Sequence, residues 1–107
     1  DKGAAREKIL KPEKEAYNLD LARQIKGAVS CPVGSVGGFR SYDVISKAIR
    51  EDVDYISVAR PLIREPGLPL RWQNGDTSRT KCISCNKCFG PGLKEGGIYC
   101  VNEKKEG

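Results

Sequence analysis

Four of the chain's five cysteines crowd into its last third, as C-x2-C-x2-C-x11-C at Cys82, Cys85, Cys88 and Cys100. Two-residue spacers let tight turns bring successive sulfurs to one side, and a loop returning past Gly96 and Gly97 can deliver the fourth. Four thiolates with three of them clustered is a common way of holding an iron–sulfur cluster. Zinc more often divides its ligands into two separated pairs. The spacing therefore points to a [4Fe–4S] cluster, with structural zinc as the alternative. Lys81, Lys87 and Lys94 stand nearby in sequence to offset the negative charge of a cluster ligated by four thiolates. An odd number of cysteines, tightly grouped, argues against a disulfide framework and for a reducing compartment. Cys31 stands alone at the head of an apolar run and is expected to be a buried small hydrophobe.

A second constellation suits an anion. Gly37-Gly38 follows one apolar run and Ala59-Arg60 follows another. Glycines let backbone N–H groups approach a phosphate closely, and a short helix starting near Arg60 would add its positive end and a formal charge. Either feature alone reads as a plain turn. Together, at the ends of neighbouring strands, they would grip a phosphate monoester.

These residues need elements to place them. Residues 1–12 are polar and read as a loop ending at Pro12. Tyr17, Leu21 and Ile25, widened by Ala22 and Val29, form the stripe of an amphipathic helix from Glu13 onward, with Glu13 and Glu15 at its acidic start. Residues 31–36 are a short apolar run suited to a buried parallel strand. Ser41 is an N-cap for a second helix with Asp43 in its first turn and Val44, Ile45, Ala48 and Ile49 inward. Residues 54–59 form a second strand, so the order is that of a βαβ unit. A short helix follows from Arg60, then another over 68–74. From Asp76 onward no period is visible, and the segment is expected to be irregular and organised by its cysteines. The division is thus residues 1–75 as βα units and residues 76–107 as a cysteine-rich, cluster-binding segment. Two strands cannot make a stable parallel sheet alone. The chain, which has no Met even at position 1, reads as a piece of a longer polypeptide or a processed product.

Composition sets the outer limits. With 107 residues, 38% hydrophobic and 31% charged, this is the size and make-up of one ordinary soluble domain. No apolar run approaches the ~20 residues that span a bilayer, and Asp1 to Arg6 do not resemble a secretory signal. A cytoplasmic protein without membrane partners is expected. The net charge of +5 is dispersed among acids, and no recognition motif accompanies it, so nucleic acid is not the expected partner. The rival reading is a small zinc-binding module that contacts nucleic acid or protein through this basic surface.

Gly37-Gly38-Phe39-Arg40, then residues 59–66 (Ala-Arg-Pro-Leu-Ile-Arg-Glu-Pro), then residues 82–88 (Cys-Ile-Ser-Cys-Asn-Lys-Cys) resemble the old yellow enzyme family. The likeness is closest to its iron–sulfur branch, the NADH:flavin oxidoreductases that include 2,4-dienoyl-CoA reductase and trimethylamine dehydrogenase, and it runs from about Tyr17 to Val101. The two-residue spacer between Cys85 and Cys88 is similar to the trimethylamine dehydrogenase pattern; the dienoyl-CoA reductase pattern has one more residue there.

The resemblance implies an α/β fold, the C-terminal portion of a (β/α)8 TIM barrel comprising its last two βα units, followed by an iron–sulfur segment. It implies an FMN phosphate held by Gly37 and Gly38 and by Ala59 and Arg60, and a [4Fe–4S] cluster held by Cys82, Cys85, Cys88 and Cys100. It further implies NAD(P)H as electron donor, a small-molecule acceptor such as an activated alkene, and the rest of the barrel or other chains of the enzyme as partners. No catalytic acid or base is identified in this chain, and with no His it lacks the family's substrate-anchoring histidine. Larger members continue into nucleotide-binding domains, so an end at Gly107 favours either a barrel-only enzyme or a truncated one.

Overall fold

A computed structural model of the chain describes residues 6–106, with side chains from Arg6 to Glu103. After a 3-10 turn at Pro12–Lys14, the order is α1 (Leu19–Ala28), β1 (Gly34–Val36), α2 (Tyr42–Glu51), β2 (Tyr55–Ser57), α3 (Arg60–Arg64), α4 (Leu68–Gln73), α5 (Phe89–Lys94) and α6 (Val101–Glu106). β1 and β2 pair in parallel, in the register Gly34↔Tyr55, Ser35↔Ile56 and Val36↔Ser57. A parallel pair requires a crossover, and α2 is that crossover. The expected α/β order is therefore present, with two strands among the described residues.

Both strands are shorter than the apolar runs that announced them, and their ends are finished by other means. The Asp54 N–H donates to the Val33 carbonyl at 2.8 Å, while the Val33 N–H donates to Asp54 Oδ2 at 2.8 Å. A carboxylate thus stands in for the next rung of the ladder. Gly34 is required by its neighbour: the Tyr55 ring lies across it, and a Cβ at position 34 would sit 2.1 Å from Tyr55 Cε2.

One face of the sheet carries α1 and α2. Ala22, Phe39, Ala48 and Val53 form the buried cluster there, with Val44, Ile45 and Ile56 packed against it. Ser35 pairs with the partly buried Ile56 and is itself buried, and its Oγ has no hydrogen-bond partner among the described residues. The opposite face is open: Val36 and Tyr55 are 53% and 52% exposed.

α1 differs from its expected form in start and in facing. It begins at Leu19, not near Glu13, and Glu13 falls in the 3-10 turn that Pro12 opens. It docks through Leu19, Ala22, Arg23 and Lys26, which follow the i, i+3, i+4, i+7 spacing of one helical face. Leu19 and Ala22 meet the core, and Arg23 and Lys26 pair with Asp52 and Asp54 at 2.9 and 3.0 Å. The expected stripe of Leu21, Ile25 and Val29 remains exposed. α2 turns Val44, Ile45 and Ala48 inward as expected, while Ile49 is 44% exposed. Ser41 flanks α2 in an extended conformation but does not cap it. Its hydroxyl donates instead to Glu15 Oε2 at 2.6 Å. Glu15, expected at a helix start, is buried and also accepts the Arg40 and Ser41 N–H groups at 2.5 and 2.7 Å.

The cysteine segment is less irregular than its composition suggests, since it contains α5 and α6. Pro91 lies in the first turn of α5, where no intrahelical N–H is needed. The segment is tied to the βαβ unit by Arg40, which is 4% exposed. Its Nη1 donates to the Ile9 carbonyl at 2.7 Å and its Nη2 to the Thr80 carbonyl at 3.0 Å. Burial lowers the Arg40 pKa, helped by Arg79 and opposed by Cys82 and Glu15. Cys31 is exposed, which corrects the expectation of a buried hydrophobe. β1 starts only at Gly34, so Cys31 lies in the turn after α1 and outside the sheet. Among the described residues no helix is long and apolar enough to cross a membrane.

Candidate functional site

Two cavities adjoin at the C-terminal ends of the strands. The larger, about 220 Å3, is lined by the turn after β1 and the turn after β2, so that Gly37, Gly38, Ala59 and Arg60 all face one space. Gly37 and Gly38 have φ of +129° and +75°. Side chains rarely adopt such values, and glycine does so freely. Space imposes the same choice: a Cβ at Gly38 would lie 2.7 Å from the Tyr17 ring, and one at Gly37 would lie 2.8 Å from Asn18 Nδ2. Asn18 Nδ2 in turn donates to the Val36 carbonyl at 2.9 Å, fixing the end of β1. The Arg6 guanidinium lies over the Tyr17 ring, 4.5 Å from its centroid.

Arg60 opens α3 and is 9% exposed. Its Nη1 donates to the Arg6 carbonyl at 2.6 Å and to Asn86 Oδ1 at 2.7 Å. Among the described residues these are the side-chain hydrogen bonds of Arg60, and neither engages Nε or Nη2. A guanidinium anchored by one nitrogen, beside a glycine turn, can take an oxyanion at the others.

The second cavity contains all four clustered cysteines, Cys82, Cys85, Cys88 and Cys100, together with Arg60 and Arg64. The turns carrying the cysteines are unusual: Ser84 and Asn86 have φ of +58° and +64°. Asn tolerates this region better than most residues, whereas Ser84 is held there by burial (2% exposed) and by its carbonyl accepting the Lys8 N–H at 2.9 Å. Such backbone turns cluster at functional sites. Three sulfurs already receive donors. The Ser84 N–H points to Cys82 Sγ at 3.4 Å, Asn102 Nδ2 to Cys85 Sγ at 3.4 Å, and Arg64 Nη1 to Cys100 Sγ at 3.7 Å. Burial pushes the Cys88 thiol pKa up, with Cys82 and Cys85 adding to the rise while its own backbone N–H and Arg60 oppose it.

Among the described residues no three His, Cys, Asp or Glu side chains stand close enough to hold a single metal ion. Four cysteines around one cavity, with N–H groups aimed at three of their sulfurs, are a donor set of the kind that holds an iron–sulfur cluster.

Sequence reasoning singled out the two glycines, Ala59, Arg60 and the four cysteines as candidates, and the structure brings each set to one cavity. It missed Tyr17 and Asn18, which shape the glycine turn, and Asn86, Arg64 and Asn102, which reach Arg60 or the sulfurs. Tyr17 was visible only as a member of a helical stripe, and the others carry no local signal.

Comparison with known proteins places the chain. It is 35% identical over 78 residues to a 4,4'-dithiodibutanoate disulfide reductase of Rhodococcus erythropolis, a match covering 73% of this chain and 19% of that protein. It is 36% identical over 87 residues to an NADH oxidase of Thermoanaerobacter brockii, covering 77% of this chain and 13% of the relative. It is 38% identical over 77 residues to a dimethylamine dehydrogenase of Hyphomicrobium sp. (strain x), covering 69% and 10%. The chain belongs to the old yellow enzyme-like group of flavin oxidoreductases. No family model and no solved structure matches it. This old yellow enzyme-like chain spans between a tenth and a fifth of the length of these relatives, all of them oxidoreductases by name.

Proposed function

We propose that this chain is the cofactor-anchoring end of an FMN-dependent oxidoreductase, the last two βα units of a (β/α)8 barrel with a [4Fe–4S] segment attached. The observation that carries this reading is the shared wall between the two cavities. Arg60 lines both, and Ser84 and Phe89 of the cysteine segment reach into the anion cavity. Gly37, Gly38, Ala59 and Arg60 hold the flavin phosphate, the first two through backbone N–H groups and Arg60 through Nε and Nη2. Cys82, Cys85, Cys88 and Cys100 hold the cluster, with Ser84, Arg64 and Asn102 donating to their sulfurs and so setting its potential. Bound FMN supplies hydride and single-electron chemistry, and the cluster supplies a single-electron relay. NAD(P)H as donor is supported by the similarity to an NADH oxidase. The acceptor is a small molecule, such as an activated alkene, met by residues outside this chain. The open face of Val36 and Tyr55 is where the remaining strands of the barrel pack, and the enzyme works in the cytoplasm.

Two measurements test this. Protein prepared without oxygen should contain iron and acid-labile sulfide in similar amounts, and Cys85→Ser should lose both while Cys31→Ser keeps both. Stoichiometric zinc without sulfide would instead establish a zinc module. Arg60→Ala should weaken FMN by about tenfold to a hundredfold, the ~1.5–3 kcal/mol of a charge-assisted contact, and leave riboflavin unchanged. Equal weakening of both flavins would remove Arg60 from the phosphate site.

A further inference from the structure

Arg60 is the anion-binding group of the larger cavity, yet one of its two anchors belongs to the cysteine segment. Asn86, between the ligand positions Cys85 and Cys88, accepts Arg60 Nη1 at 2.7 Å. The other anchor is the Arg6 carbonyl at 2.6 Å. The two acceptors take both hydrogens of Nη1, and this fixes the plane of the guanidinium and the direction in which Nε and Nη2 point. A free arginine side chain loses rotamer freedom when a ligand fixes it, so holding it in place before a ligand arrives raises affinity without adding a contact to that ligand. Asn86 is suited to this position by its backbone. With φ of +64° it occupies a turn that Asn tolerates and that β-branched side chains do not, and the same turn faces its Oδ1 to Arg60.

We infer that Asn86 is a positioning residue of the anion site: a side chain of the cysteine turn presets the arginine that reads the phosphate. The inference rests on the reading of the larger cavity as a flavin-phosphate site. It predicts that the FMN-to-riboflavin affinity ratio depends on residue 86, although that residue is absent from the lining of the larger cavity.

The test is a titration of both flavins against four forms of the full-length protein: wild type, Asn86→Gly, Arg60→Ala and the double variant. Glycine is chosen because it keeps the positive φ and removes only the side chain. Asn86→Gly is expected to weaken FMN about fivefold, leave riboflavin unchanged, and add nothing in the Arg60→Ala background. Equal weakening of both flavins, or the same weakening with Arg60 already gone, would overturn the inference and make Asn86 a purely structural turn residue. Unchanged FMN affinity in Asn86→Gly would overturn it as well. If Arg60→Ala itself fails to separate FMN from riboflavin, the phosphate reading falls and the inference falls with it. If Arg60→Ala separates them and Asn86→Gly does not, the inference alone fails. Iron and sulfide are assayed in each form. Loss of the cluster in Asn86→Gly would likewise overturn the inference, by making residue 86 a structural part of the cysteine turn.

Discussion

Residues 34–57 and α1 close over an apolar centre, with Ala22, Phe39, Ala48 and Val53 between 0% and 7% exposed. Residues 76–103 bury Thr80, Ser84 and Pro91 instead, while Ile83, Phe89, Leu93 and Ile98 are all more than 40% exposed. The first region draws its stability from area removed from water. The second has too little such area, and is joined to the first by Arg40 and to residues 60–71 by hydrogen bonds from Arg60 and Arg71 and through the Lys81 N–H donating to Glu65 Oε1 at 2.7 Å. A segment poor in core gains order from what its side chains ligate. If Cys82, Cys85, Cys88 and Cys100 ligate the proposed cluster, the difference places the burden of shape on packing in one half and on four thiolates in the other.

Crossed perturbations test that division most strongly. Phe39→Ala should cost about 3–5 kcal/mol, read as a lowered denaturation midpoint of the intact protein and faster amide exchange across residues 34–57. Stripping the metal with a chelator should act in reverse, raising exchange across residues 82–100 while residues 34–57 stay protected. If both perturbations loosen both regions equally, the chain is one cooperative unit and the comparison fails.

The order helix, strand, helix, strand was legible because apolar runs, Ser41 and the glycine pair mark it locally. The facing of α1 was not. Leu21 and Ile25 form the more hydrophobic stripe, yet Leu19 and Ala22 dock, and Arg23 and Lys26 on that same face pair with Asp52 and Asp54 from the adjacent turn. Sequence periodicity reveals an apolar face but not which neighbour covers it. α5 and α6 were missed for another reason: six residues are under two turns, too short for a period to register. The site was legible wherever chemistry depends on residue type and spacing, as at Cys82, Cys85 and Cys88. It was illegible where two distant segments meet, as when Asn86 reaches Arg60 or Tyr17 covers Gly38.

A smaller effect probes the open face of the sheet, where no core participates. Gly34→Ala places a methyl 2.1 Å from the Tyr55 ring, so the ring must swing away. Tyr55 is half exposed and can move, which limits the cost to about 1–3 kcal/mol. Tyr55→Ala in the same chain should recover most of that loss, giving a favourable coupling in a double-mutant cycle. Additive effects would show that strain in β1 itself, rather than the ring, excludes a side chain at position 34.

The smallest expected effect is electrostatic and concerns Asp54, where the ladder ends on a carboxylate. Its pKa is lowered, first by the Val33 N–H and then by Lys26. A depressed pKa means that the folded state favours the charged form. The stabilisation is present above the unfolded value of ~3.9 and is lost as pH falls through the lower folded value. Asp54 is exposed, so salt screens the Lys26 contribution, whereas the hydrogen bond to Val33 depends less on ionic strength. Asp54→Asn keeps an oxygen that can accept the Val33 N–H and removes the titrating charge. The difference in urea midpoint between wild type and Asp54→Asn should therefore be small at neutral pH and shrink toward zero in acid, with only part of it sensitive to salt. A difference that stays constant across that acid range would show that the contact works through shape alone. The edge of the core-built half would then owe nothing to charge.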